Sequence, residues 1–195
     1  MIALINTGVA NISSVAFALD RLNRPYIITA DAQIIEQSSH VILPGVGHAK
    51  ALMQGLAKLQ LIETIQRLRQ PVLGICLGMQ VLYDHSAEGD IACLGIIPGH
   101  IEAIQNYGLS LPHMGWNTLQ FIEPSSALFQ GVTEFSPVYF VHSFRATMSP
   151  DTRAFSHYGE DIPAMVSRHN FYGTQFHPER SGPVGQQILR NFIEL

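Results

Sequence analysis

Short apolar runs alternate with segments of helical periodicity through the first half of the chain, and this alternation sets the expected architecture. Ile2-Ala3-Leu4-Ile5 is continuously apolar, too short for a helix and suited to a strand buried on both faces. Gly8 breaks the run, and Asn11 or Ser13 can cap a helix in which Ile12, Val15, Leu19 and Leu22 recur at helical spacing. Residues 26–29 predict a second strand, Asp31 a cap for a brief helix reaching Glu36, and residues 40–43 a third strand before Pro44. The stripe Leu52, Leu56, Leu59, Ile62 and Ile65 predicts one helix over residues 51–68, stopped by Pro71. Val72-Leu73-Gly74-Ile75 then predicts a fourth buried strand, with Cys76 at its junction with another helix. Strands and helices in this order imply parallel strands with helices on the sheet faces.

Beyond Tyr83 the alternation fades. Short β-like runs at residues 96–104, 114–122, 138–144, 153–157, 164–167 and 171–176 are broken by Gly, Pro and Asn, which predicts hairpins. Arg168-His169-Asn170 reads as one such turn, and residues 183–193 as a closing helix. The expected fold is α/β: an open, largely parallel twisted sheet flanked by helices, with an additional antiparallel hairpin region. There is no repeat, linker or low-complexity segment, and 195 residues suit one domain, taken as 1–195.

Composition narrows the partners. Charged residues are 13% of the chain, against about 25% on average, which suits a sheet buried on both faces and equally an apolar partner interface. The net charge is −4, with Lys50 and Lys58 the only lysines and no basic run, so neither nucleic acid nor anionic lipid is an expected partner. No stretch approaches the ~20 apolar residues of a membrane span, and no basic leader opens the chain, so a cytoplasmic protein is expected. Two cysteines, Cys76 and Cys93, make no disulfide framework, and without metal-ligand spacing no metal or cofactor is expected.

The candidate chemistry begins at Cys76. A nucleophile on a tight strand-to-helix turn is held out from the sheet edge, with helix amides directed towards it. Gly74 and Gly78 flank it, accepting unusual backbone angles and allowing close approach of the neighbouring strand; a merely buried structural cysteine is the competing reading. Pro44-Gly45-Val46-Gly47 follows the third strand. It lacks the spacing of a phosphate loop, and is either a plain connection or a source of backbone N–H groups for an oxyanion. Near the other end, His177 and Glu179 are two apart, so an extended chain projects both to one side. A cysteine nucleophile needs a base, and the base needs a carboxylate to orient it.

Taken together, Gly74-Ile75-Cys76-Leu77-Gly78-Met79-Gln80 and Gln175-Phe176-His177-Pro178-Glu179 resemble the triad-type, class I glutamine amidotransferases. Within that family, Pro44 to Gly47, Pro112-His113-Met114-Gly115-Trp116-Asn117, Tyr139-Phe140-Val141-His142-Ser143-Phe144 and Glu179-Arg180-Ser181-Gly182 are similar to the branch that supplies ammonia to imidazole glycerol phosphate synthesis. The resemblance implies glutamine hydrolysis through a thioester on Cys76, with His177 as base then acid and Glu179 orienting it. It implies oxyanion donors at Leu77 and around Val46, and substrate contacts at Gly47, Gln80, Glu88, Ser143 and Phe144. It further implies a partner, a cyclase subunit built as a (β/α)₈ barrel, docking on Asn11, Asp90, Met114, Trp116, Tyr139 and Arg180. One departure is local: the family often opens with Asp-Tyr-Gly-x-Gly-Asn, where this chain has Asn6-Thr7-Gly8-Val9-Ala10-Asn11.

Overall fold

In the computed structural model, which describes residues 1–8 and 11–195, the first apolar run forms strand β1 (Ile2–Ile5). Val9 and Ala10, part of the atypical opening, lie outside the described residues. There follow α1 (Ile12–Arg21), β2 (Tyr26–Thr29), α2 (Ala32–Gln37), β3 (His40–Gly45), α3 (Ala49–Lys58), α4 (Ile62–Arg67), β4 (Val72–Cys76) and α5 (Leu77–Gln80). The second half holds β5 (Tyr83–Ser86), β6 (Ile91–Ala92), β7 (Ile97–Ala103), β8 (His113–Thr118), β9 (Gln120–Phe121), β10 (Pro137–His142), β11 (Phe144–Ala146), β12 (Thr152–Tyr158), β13 (Glu160–Arg168), β14 (Phe171–Thr174) and α6 (Gly182–Ile193), with 3₁₀ turns at Ala127–Phe129 and Pro178–Arg180.

The main sheet has the order β2-β1-β3-β4-β14-β13-β12-β9. Its first five strands are mutually parallel and its last three antiparallel. The expected α/β sheet with added hairpins is therefore the observed one. The continuous apolar runs arise because both faces are covered. Ala3, Ile5, Val41 and Leu43 face a core closed by Leu52 and Leu56 of α3 and Ile65 of α4. Ile2, Leu4, Ile42, Leu73 and Ile75 face an opposite core closed by Val15 and Leu19 of α1 and by Ile188, Leu189 and Phe192 of α6. Each such fully buried side chain is worth roughly 1.5–3 kcal/mol against leaving it in water.

Three local expectations are corrected. The single helix over residues 51–68 is two helices. Gln60 takes φ +57°, and the Gln60 and Leu61 N–H groups return to Ala57 and Leu56 carbonyls at 3.0 and 2.9 Å, a left-handed stop that needs no glycine. Leu61 is thereby buried, while Leu59, assigned to the apolar stripe, is 36% exposed. The third strand runs on through Pro44 and Gly45, and Gly45 pairs with Cys76. The region after Tyr83 holds β5 and β6, which join β7 and β11 in a four-stranded sheet.

The topology places the site. β4 and β14 are parallel neighbours, with Ile75 opposite Thr174, so both end at the same sheet edge. The chain leaving β14 at Gln175 and the elbow after β4 at Cys76 are brought together there, at the carboxyl edge where open α/β sheets form their crevices.

Candidate active site

Cys76 carries the strain of the elbow itself: φ +54° and ψ −109°, a region that costs a non-glycine residue about 1–3 kcal/mol. Gly74 and Gly78 serve the close approach expected of them and not the unusual backbone angles, since neither has a positive φ. A Cβ on Gly74 would meet the Gly78 carbonyl oxygen at 2.5 Å, and one on Gly78 would collide with the Leu43 carbonyl. A Cβ on Gly45 would meet the Gly78 nitrogen at 2.6 Å. The three glycines let β3, β4 and α5 pack backbone against backbone, which fixes the turn on which Cys76 stands.

His177 and Glu179 do come together, but not by strand alternation. β14 ends at Thr174, and Glu179 lies in the 3₁₀ turn that His177 opens. That turn is clamped. The His177 N–H donates to the Tyr139 carbonyl at 2.9 Å. The Ser181 hydroxyl donates to the His177 carbonyl at 2.7 Å and accepts from the Tyr139 N–H at 2.9 Å. Gly185 of α6 packs so tightly on the Pro178 carbonyl that no side chain would fit. The result is a buried pair, His177 Nδ1 to Glu179 Oε1 at 2.7 Å.

Burial pulls the His177 pKa down, but the Cys76 sulfur and the Glu179 carboxylate outweigh it and raise it to about 10. The imidazole therefore holds its proton at neutral pH. His177 Nε2 is buried with no hydrogen-bond partner. The Cys76 sulfur instead lies 3.9 Å from the Val141 carbonyl and 3.7 Å from Gln175 Nε2. Cys93, by contrast, is in an environment whose burial pushes its thiol up to about 11 and away from reactivity.

A cleft of about 170 Å³ opens over the sulfur. It is lined by Val46, Gly47, Cys76, Leu77, Gln80, Glu88, Val141, Ser143, Phe144 and both His142 and His177. All residues expected in the triad except Glu179, which stands behind His177, and all expected substrate and oxyanion positions thus share one space. Gly47 has φ +94°, a conformation that suits glycine. One Glu88 oxygen accepts the Ala49 N–H at the start of α3 at 2.7 Å. Both N–H bonds of Gln80 are committed, to the Phe144 carbonyl and to Gln175 Oε1, each at 2.9 Å, so towards the cleft Gln80 has an acceptor to offer. The Phe144 carbonyl, which also accepts His142 Nδ1–H at 2.8 Å, has both lone pairs filled.

The expected docking residues divide. Trp116 and Tyr139 are opposite each other in the β8–β10 ribbon with ring centroids 6.0 Å apart, and the Arg180 guanidinium lies 5.7 Å from the Tyr139 ring. Met114 and Trp116 are 65% and 58% exposed. Asn11 is exposed where its side chain caps α1. Asp90 lies 3.0 Å from His85 of β5, with its side chain 96% exposed. Behind the ribbon lies a buried pair that sequence reasoning missed: His113 Nδ1 bonds His142 Nε2 at 2.9 Å, with His113 stacked on Phe140 and Tyr158. Burial holds both imidazoles neutral, at about 4 for His113 and about 3 for His142.

A strained nucleophile elbow beside a buried His–Glu pair, on a mostly parallel sheet, is the arrangement of a triad amidotransferase, and the class I glutamine amidotransferase family model matches residues 4–195. The chain belongs to the class I glutamine amidotransferases. Solved structures of the same fold include PurLQS from Thermotoga maritima, with TM-score 0.73 and 18% identity over 99% of this chain and 97% of that one. A glutamine amidotransferase from the same organism has TM-score 0.71 at 16% identity over 99% and 96%. Among curated relatives, the imidazole glycerol phosphate synthase subunit HisH of Idiomarina loihiensis is 48% identical over 100% of this chain and 97% of its own length. The HisH subunit of Haemophilus influenzae is 49% identical over 99% and 96%. The chain's branch of the family is therefore that of the HisH subunits. Among the described residues, no helix is long and apolar enough to cross a membrane.

Proposed function

We propose that this chain, acting as one glutaminase domain, hydrolyses glutamine to glutamate and ammonia and hands the ammonia to a cyclase subunit in histidine biosynthesis. The observation that carries the reading is the buried His177–Glu179 pair beside Cys76 on its strained elbow. With the Cys76 proton already on His177, the sulfur attacks the carboxamide carbon. His177 then protonates the departing nitrogen, leaving a thioester, and afterwards draws a proton from the water that releases glutamate. The raised His177 pKa suits the donor half of that cycle. Glu179 fixes the imidazole's orientation through Nδ1. Backbone N–H groups at Leu77 and around Val46 would face the oxyanion, and the Glu88 carboxylate would meet the substrate ammonium.

Ammonia released into water takes a proton and stops being a nucleophile, so the product needs a sheltered path to a second active site. The cyclase, a (β/α)₈ barrel, would dock on the face carrying Met114, Trp116, Tyr139 and Arg180, with Asn11 and Asp90 as further contacts. A cytoplasmic location accords with such a biosynthetic pair. The test is Cys76→Ala in the reconstituted complex. Glutamine-dependent turnover should disappear, while turnover driven by added ammonia persists; loss of both would make Cys76 a structural residue.

A further inference from the structure

The polar groups behind Cys76 form a chain whose every donor and acceptor can be assigned. The fixed point is the Phe144 carbonyl, which can only accept. Gln80 must therefore present Nε2 to it, at 2.9 Å, and the same nitrogen reaches Gln175 Oε1 at 2.9 Å. Since Gln175 Oε1 accepts from Gln80, its amide can face the sulfur only with its nitrogen, and Nε2 lies 3.7 Å from Cys76 Sγ. His142 braces the same carbonyl from the other side through Nδ1 at 2.8 Å. Gln175 is fully buried and Gln80 nearly so. A buried amide with both ends committed does not rotate freely, because reversal would set its oxygen against the sulfur and its nitrogen against the Gln80 N–H bond.

We propose that Gln175 is a positioning residue for Cys76, its N–H held by Gln80 against the sulfur so that the negatively charged sulfur is favoured. This rests on the reading of Cys76 as the nucleophile. The elbow's helix α5 is only four residues long, and alongside the protonated His177, whose proton the sulfur helps to hold, the Gln175 amide directs an N–H at the sulfur. On the opposite side the Val141 carbonyl, 3.9 Å away, can accept a hydrogen bond from the thiol. The sulfur is thus placed between an acceptor that serves the thiol and a donor that serves the thiolate.

The test reads the sulfur directly. Alkylation of Cys76 by iodoacetamide is followed by peptide mass spectrometry, which separates it from Cys93, in the parent and in Gln175→Met and Gln175→Glu. Removing the donor in the Met variant should slow alkylation at pH 7 on the order of ten-fold, and move its pH profile to the alkaline side. The Glu variant retains an acceptor for Gln80 but sets a carboxylate against the sulfur, and should be slower still. Folded variants that alkylate at the parent's rate and pH would overturn the proposal. In the unmodified protein, the Gln175 side-chain amide resonances should titrate with pH and lose that titration in Cys76→Ala; resonances indifferent to Cys76 would also overturn it. Both readouts are independent of turnover. Glutamate release that survives in Cys76→Ala would instead defeat the nucleophile reading, and the two failures are distinguishable.

Discussion

The elbow and the β8–β10 ribbon meet at β10 and solve opposite problems. At the elbow every group is fixed from several directions: glycines admit backbone contacts no side chain could survive, Ser181 and Tyr139 clamp the His177 turn, and Cys76 accepts a strained φ. On the ribbon, large side chains stand in water. Trp116 and Met114 are more than half exposed, with Tyr139 and Arg180 beside them. β10 belongs to both regions. Its inward residues Val138, Phe140 and His142 are buried, while the outward Tyr139 passes its carbonyl to the His177 N–H. Rigidity is concentrated where a reacting atom must be placed within a fraction of an ångström, and unburied apolar area where a second protein can cover it.

The comparison can be broken first at the elbow. His177→Asn should lower glutamine turnover on the order of 10²–10⁴-fold while leaving cyclase binding unchanged; a near-normal rate would remove His177 from the proton-transfer role. On the ribbon, Trp116→Ala should do the reverse. Cyclase affinity should fall by about 2 kcal/mol, and the stability of the isolated chain should stay within about 0.5 kcal/mol, since an exposed ring is being removed. Calorimetric titration with the cyclase and thermal unfolding of the free chain decide this.

The buried histidines give the two regions opposite pH signatures. His177 has its folded pKa raised to about 10 from an ordinary 6.5, so its contribution to stability is complete below pH 6.5 and is lost as pH climbs towards 10. His113 and His142, lowered to about 4 and about 3, contribute fully above pH 6.5, and that contribution drains away as pH falls towards those values. Urea midpoints at pH 5, 7 and 9 should therefore peak in the middle, with His177→Asn flattening the alkaline side alone. The smallest expected effect is at Val46, 36% exposed at the cleft mouth. If reorientation of its peptide limits the free chain, Val46→Gly should raise partner-free glutamate release a few-fold; an unchanged rate in a folded variant opposes that role.

How much of this was legible in the sequence follows from how local each cause is. Ile2–Ile5 and Val72–Cys76 announce themselves because a strand buried on both faces must be apolar throughout. The break at Gln60 does not, because a left-handed stop usually declares itself with glycine or asparagine and here a glutamine occupies it. Cys76, His177 and Glu179 were readable as residues that should meet, through their types and motifs. The manner of their meeting was not, since the 3₁₀ turn is imposed by Tyr139, Ser181 and Gly185 from distant parts of the chain. Gln175 and the His113–His142 pair have no spacing signal at all: their partners are 99 and 29 residues away.

The division of labour between a fixed elbow and an uncovered ribbon is tested most directly by glutamate release from glutamine. The purified chain is assayed alone, then with the cyclase partner and its nucleotide ligand, with Cys76→Ala as control. Low release alone, strong stimulation by the liganded cyclase, and none from Cys76→Ala in either condition is the predicted result. Full activity in the isolated chain, indifferent to the cyclase, would contradict it.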